Sequence, residues 1–224
     1  MKKFCCALLI TWLACASAVF SQTSATQTVP AASPSTLQQN RLPAIPESKQ
    51  TEAQKKASAE FVTIRKAPVF GPFVPLLRSP ELMLRASAMG DYLRYRDALP
   101  PKLNEFIILI VAREWTQEYE WYVHYPFAIK AGLDPAIAKA VAEGRRPAKM
   151  SEEEEIVYEF STELNRNKSV SDVTYARTVA KFGEQGMMDM VGMHGYYTLI
   201  AMALNVGRTP VPKDYAPVLA PLPR

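Results

Sequence analysis

Cysteine is absent from this 224-residue chain beyond position 15; Cys5, Cys6 and Cys15 are the only three. A product that loses its first twenty or so residues therefore has no thiol with which to form an internal disulfide or run redox chemistry. Histidine is scarcer still, with only His124 and His194. Two imidazoles seventy positions apart, with no HExxH run, do not make a zinc-type motif, and no metal is expected. Lysine and arginine form no cluster, and the formal net charge is a mild +4. That distribution offers no surface to track a phosphate backbone, so no nucleic-acid partner is expected. No apolar run reaches membrane-spanning length: residues 190–204 come nearest, but they are too few, contain His194, and are closed by Asp189 and Asn205. Strand-like alternation is missing throughout, which leaves an all-α reading.

What is present begins with an export signature. Lys2 and Lys3 precede a short apolar stretch from Phe4 to Leu13, and Ala16, Ser17 and Ala18 supply small residues for cleavage. Residues 1–21 are read as a signal peptide, so the protein is expected to be exported, periplasmic or extracellular. Leu13, Ala14 and Cys15 also resemble a lipobox, so a lipoprotein is the competing form, and membrane contact is expected only if Cys15 is lipidated. Losing Lys2 and Lys3 leaves 24 basic side chains against 22 acidic ones, a charge of +2. Residues 22–56, rich in Ser, Thr, Gln, Ala and Pro, read as a flexible linker. Residues 57–212 form the expected helical domain, and 213–224, with three prolines, an extended tail.

Within the domain, Pro68, Gly71, Pro72 and Pro75 mark an irregular entry. Ser79 as N-cap and Pro80 at the first helical position open a helix to about Arg96. The next helix runs from Lys102 to about Trp115 and is apolar all round from Phe106 to Ala112, as a buried helix is. A third spans about Gln117 to Ala131, with Pro126 expected to kink it. Asp134 and Pro135 open a short helix ending at Gly144. Ser151 and Glu154 form a capping box for a helix to about Asn165. Ser171 or Asp172 caps a further helix that Gly183 ends, and the last runs from about Gln185 to Val206.

The stretch from Glu105 to His124 holds the groups that carry chemistry. Glu120 and His124 are four apart and share one helix face, with Gln117 a turn before. A carboxylate beside an imidazole fixes its orientation, and such a pair passes protons near neutral pH. Each residue also has a plainer role. Glu105 fits a first-turn acid, Glu120 and His124 fit a surface i,i+4 pair, and Gln117 fits a structural position. Tyr119 and Trp121 fit core or pocket wall, and His194 fits a core histidine. Gly192 and Gly195 beside His194 suggest close approach of another helix or of a ligand.

The order Glu105, Gln117, Glu120, His124 resembles the signature of carboxymuconolactone decarboxylase-like and alkylhydroperoxidase D-like proteins. In the peroxidase branch of that family it reads Glu, eleven residues, Cys, two residues, Cys, three residues, His. Glu105 and His124 match; Gln117 and Glu120 stand where the cysteines would be. Gly71 to Phe73, Leu77 to Glu81, Tyr119 to Trp121, Lys130 to Leu133, and Gly195 to Leu199 with Leu204 and Asn205 resemble a cysteine-less branch. The likeness covers about Val69 to Pro212.

The resemblance implies an all-α, alkylhydroperoxidase D-like helical bundle with an active-site helical hairpin, assembled as a homo-oligomer, trimer or hexamer. It does not carry peroxide reduction, because neither Gln nor Glu can replace a thiolate. The acid–base half survives. The expected activity is a cofactor-free, lyase-type acid–base enzyme acting on a small organic acid, lactone or enolisable carbonyl compound. His124 would donate or accept the proton, Glu120 would orient it, and Glu105 would serve as relay or second acid. Gln117, Tyr119, Trp121, His194 and Tyr197 are the candidate substrate-binding residues. The alternatives are a non-catalytic binding or assembly protein on the same fold, and peroxide-related activity by family name only.

Overall fold

A computed structural model describes residues 39–219. The signal peptide, the first part of the linker and residues 220–224 of the tail lie outside the described residues.

Among the described residues there are eight α-helices and no strand: α1 (Glu52–Arg65), α2 (Phe73–Leu76), α3 (Pro80–Tyr95), α4 (Pro101–Glu114), α5 (Glu118–Lys130), α6 (Pro135–Ala142), α7 (Glu152–Asn167) and α8 (Asp172–Gly207). The all-α expectation is met. Most boundaries follow from the cap chemistry. Ser151 and Glu154 make the reciprocal capping box, Asp134 accepts from the Ala136 amide, and Ser171 rather than Asp172 accepts from Thr174. Ser79 occupies the N-cap of α3, but its hydroxyl makes no capping bond; Pro80 alone sets the start. α8 is two helical segments, 172–182 and 184–207. Gly183 breaks it at φ 70°, ψ 173°, a backbone region open only to glycine. Helix α5 passes through Pro126, which removes the amide that would bond the Tyr122 carbonyl, at a position where Tyr122 is exposed.

The amino-terminal boundary differs from the sequence reading. The helix α1 begins at Glu52, inside the span assigned to the flexible linker, and its start is a Thr51–Gln54 capping box. The residues before it are also fixed in place: the Arg41 amide donates to Gly207 O at 2.8 Å, and Arg78 donates to Pro43 O at 2.7 Å. The composition misled because α1 buries only Ala57 and Phe61 and shows polar side chains elsewhere. Phe61 alone supplies an anchor: fully buried, it packs against Phe73 at 4.8 Å and Phe70 at 5.9 Å. Burying one such ring is worth about 2–3 kcal/mol.

Helix α4 is the axis of the core. Every residue from Leu103 to Arg113 is buried, and α4 packs on α3, α5, α6, α7 and α8. The apolar run seen in the sequence is thus a helix enclosed on all sides. α4 and α5 form an antiparallel hairpin across Trp115, Thr116 and Gln117, with Thr116 in the left-handed region at φ 46°. Gln117 closes the turn: its backbone amide donates to Ala112 O, its side-chain oxygen accepts from the Tyr119 amide, and its side-chain nitrogen donates to Asn205 of α8 at 2.7 Å. Asn205 in turn donates to Trp115 O.

Two further features set the surroundings of α5. The tail folds back on it: Glu118 accepts from the Leu219 amide at 2.6 Å, the Val218 amide and the Tyr215 hydroxyl. The segment read as an extended tail is therefore non-helical but tethered as far as Leu219. On the other side, α8 crosses close to α3. A methyl at Gly90 would fall 2.3 Å from the Tyr196 hydroxyl, and one at Gly192 would fall 3.0 Å from Leu93. Gly192 thus permits the helix approach anticipated beside His194, whereas Gly195 faces open space.

Candidate active site

Side chains from four helices meet on the face of α5 opposite the tail. Position 120 lies two residues, or about 200° of helical turn, from Glu118, so Glu120 and His124 point inward while Glu118 holds the tail. His124 is buried at 4% exposure, and its Nδ1 lies 2.7 Å from Oε2 of Glu105, which reaches across the hairpin from α4. A carboxylate at that distance accepts, so the Nδ1 proton is directed at Glu105 and Nε2 is the ring nitrogen turned to Glu120. Glu120 Oε2 stands 3.5 Å from that Nε2.

The roles of the two acids exchange relative to the sequence expectation. Four-residue spacing pointed to Glu120 as the orienting partner, yet the short contact comes from Glu105 and the longer one from Glu120. The i,i+4 relation brings two side chains onto one face without setting which atom touches. The hairpin, which sequence spacing does not specify, delivers Glu105 to the opposite ring nitrogen.

Burial drives the Glu120 carboxyl above the usual carboxylate range; Glu105 adds to the effect, while His124 and Arg94 oppose it. The protonated form of Glu120 is thereby favoured in the position 3.5 Å from the ring nitrogen. From α3, Arg94 donates to Glu105 Oε1 at 3.3 Å. From α8, the Tyr197 ring meets His124 edge-on at 5.3 Å and 87°, and burial pushes its hydroxyl well above the ordinary tyrosine value. Tyr196 packs against Tyr197 at 5.0 Å in the space that Gly90 leaves.

These groups border a cavity of about 80 Å³ whose apolar walls are Phe70, Pro72, Phe73, Tyr119, Val123 and Ile200. Arg65, Arg94, Glu120, His124, Tyr196 and Tyr197 supply its polar lining. Glu105 stands behind His124 rather than on the wall. At about 30 Å³ per water molecule, the space suits a ligand of a few heavy atoms. A lactone-sized substrate needs the Phe70–Phe73 wall to move. Two larger clefts, about 690 Å³ beside Trp121 and Tyr215 and about 550 Å³ beside α1, bring no buried titratable side chain to their walls.

Of the residues singled out from sequence, the cavity gathers Glu120, His124, Tyr119 and Tyr197, with Glu105 one contact away. Gln117, Trp121 and His194 are placed elsewhere. Gln117 is a helix cap. Trp121 stacks on Tyr125 and faces the cleft on the tail side. His194 bonds Ser161 of α7 through Nε2 at 2.9 Å, while its buried Nδ1 has no partner, and burial lowers its pKa to about 4. Arg94, Arg65 and Tyr196 were not singled out. No local spacing links Arg94 to Glu105, because they sit on successive helices joined by an irregular turn.

Among the described residues no group of three or more His, Cys, Asp and Glu side chains is arranged to hold a metal ion. The geometry explains it. The two carboxylates approach different nitrogens of one ring, so no single point sees all three ligands. No model of a known protein family matches this chain, and no curated protein matches it.

Proposed function

We propose that the chain is an exported, cofactor-free acid–base enzyme of the carboxymuconolactone decarboxylase-like family, in its cysteine-less branch. One observation carries this reading: a buried imidazole, oriented by Glu105 at 2.7 Å, shares a cavity with a carboxyl group whose pKa burial raises. His124 Nε2 is the base and Glu120 the acid. With an enolisable carbonyl substrate, His124 takes a proton from the carbon beside the carbonyl, and the freed electron pair moves onto oxygen. Glu120 donates to that oxygen or, in the lyase direction, to the carbon left after carbon dioxide departs. Glu105 holds the ring and balances the charge that develops on it. Positioned groups of this kind contribute about 10²–10⁴-fold each.

The test is a screen of the exported form against small lactones, β-keto acids and unsaturated acids, followed by His124→Ala. The variant is expected to lose turnover while remaining folded. Undiminished turnover would remove the proposal. The small volume of the cavity favours one second reading, a binding or assembly protein that has kept the fold without the reaction. Ligand binding at His124, seen by calorimetry with no turnover of any substrate in the screen, would support it.

Self-association belongs to the same proposal. Met188, Val191, Met202 and Val206 are exposed along one stripe of α8, with Gly195 at its centre facing open space. A second copy would bury that stripe. Among the described residues no helix is long and apolar enough to cross a membrane.

A further inference from the structure

The two arginines on the cavity wall are in different states. Arg65 makes three polar contacts: Nε donates to Ser87 Oγ at 3.1 Å, and Nη2 reaches Ser87 O at 3.0 Å and Asp91 at 3.1 Å. Its guanidinium also lies over the Phe61 and Phe73 rings. Arg94 makes one hydrogen bond, the 3.3 Å contact from Nη2 to Glu105. A guanidinium has five N–H donors in a rigid fork, so most of this one's donors have no acceptor among the described residues. Yet the group is held in place, with its centre 5.4 Å from the Tyr95 ring and 5.6 Å from the Phe127 ring. It lines the same cavity as His124 and Glu120.

We infer that Arg94 is the anchor for the carboxylate of a short-chain monocarboxylic acid bound against His124. The inference rests on the acid–base reading of this site and narrows its substrate class. A planar fork with unused donors matches the two oxygens of a carboxylate. Size sets the chain length. A cavity of about 80 Å³ is about half the ~150 Å³ that takes a benzene ring, so acids of two or three carbons fit and aromatic acids do not. Charge sets the valency. Among the described residues lining the cavity the cations are Arg65, already paired with Asp91, and Arg94, so a second negative charge on the ligand would lie near Glu105 with no further cation to meet it. An acid anchored at Arg94 shares the cavity with His124, the base of the proposed proton transfer.

The experiment compares acetate with acetamide, a neutral molecule of the same shape, by titration followed in the His124 ring signals in NMR spectra. Acetate is expected to shift those signals in the wild-type protein, with acetamide about tenfold weaker or more. Arg94→Gln should lose about tenfold or more in acetate affinity, Arg94→Lys should recover part of it, and benzoate should leave the His124 signals unmoved. Equal binding of acetate and acetamide, no response to acetate, or full acetate affinity in Arg94→Gln would overturn the inference. The wild-type comparison of the two ligands stands even if an Arg94 variant fails to fold. Failure of the acid–base reading looks different. Acetate binding that depends on Arg94, together with full turnover in His124→Ala, leaves the anion site standing and removes the catalytic role.

Discussion

Protonation of His194 tests the account of the core at the α7–α8 contact. The ring is 5% exposed, its Nε2 is bonded to Ser161, and its Nδ1 faces no acceptor. A proton placed on Nδ1 in the folded state would therefore be a buried charge without a partner, which is why burial lowers the pKa from 6.5 to about 4. The unfolded chain binds this proton below about pH 6.5 and the folded chain only below about pH 4, so stability falls with pH between those two values. The gap is about 2.5 pH units, which corresponds to about 3.4 kcal/mol when fully expressed and about 1.4 kcal/mol by pH 5.5. Against a typical total of about 5–15 kcal/mol, that is readily measured. Glu120, whose carboxyl is pushed up by burial, works in the opposite sense: the folded state holds its proton better, so it adds stability as pH falls. The effect of His194 is thus isolated by difference. Urea unfolding of wild type and His194→Gln across about pH 4.5 to 8 should show a steeper loss in the wild type, the two curves diverging below about pH 6.5. Parallel curves would refute the reasoning.

Three more outcomes follow from the geometry. Gly90→Ala sets a methyl against the Tyr196 hydroxyl, and should lower stability in urea unfolding by about 1–3 kcal/mol; a neutral result would mean that Tyr196 is free to shift. Glu118→Ala removes the acceptor for Leu219, Val218 and Tyr215, so amide exchange of residues 215–219 should quicken while α4 and α5 keep their protection. Glu120→Gln removes a proton donor whose protonated form survives above the ordinary carboxylate range. In a turnover assay the wild type should lose rate as pH rises through that raised value, and the variant should be slower and lack that limb.

Helix existence was legible wherever a cap or a buried face marked it. The α4 run announced a buried helix, Ser151 and Glu154 announced α7, and Gly183 announced the break in α8. Helix α1 was missed because a helix that buries two side chains carries almost no hydrophobic period; only Thr51 and Gln54 signalled it. The imidazole and its two acids were legible as a set, since their spacing is local to one hairpin. Their contacts were not. Which carboxylate reaches which nitrogen depends on how α4 lies on α5, and the turn residues that set this, Thr116 and Gln117, carry no strong sequence signal. Tyr196 and the true surroundings of His194 depend on helices far apart in the chain, and Arg94 reaches Glu105 across an irregular turn, so no spacing rule reaches them.

The two positions where the peroxidase branch of the proposed family would hold cysteines show how the site differs from a thiol site. A dithiol needs its two side chains to meet. Here they part: Gln117 turns back to cap its own helix and to hold Asn205, while Glu120 turns into the cavity. One position serves the architecture of the hairpin and the other faces the cavity. Burying Glu120 disfavours its charge and raises its pKa, as the proposed acid role requires. At Glu105, Arg94 and His124 approach the two oxygens separately. The two glutamates thus meet different atoms of one ring, Glu105 at 2.7 Å from Nδ1 with Arg94 on its other oxygen, and Glu120 at 3.5 Å from Nε2 on the cavity wall.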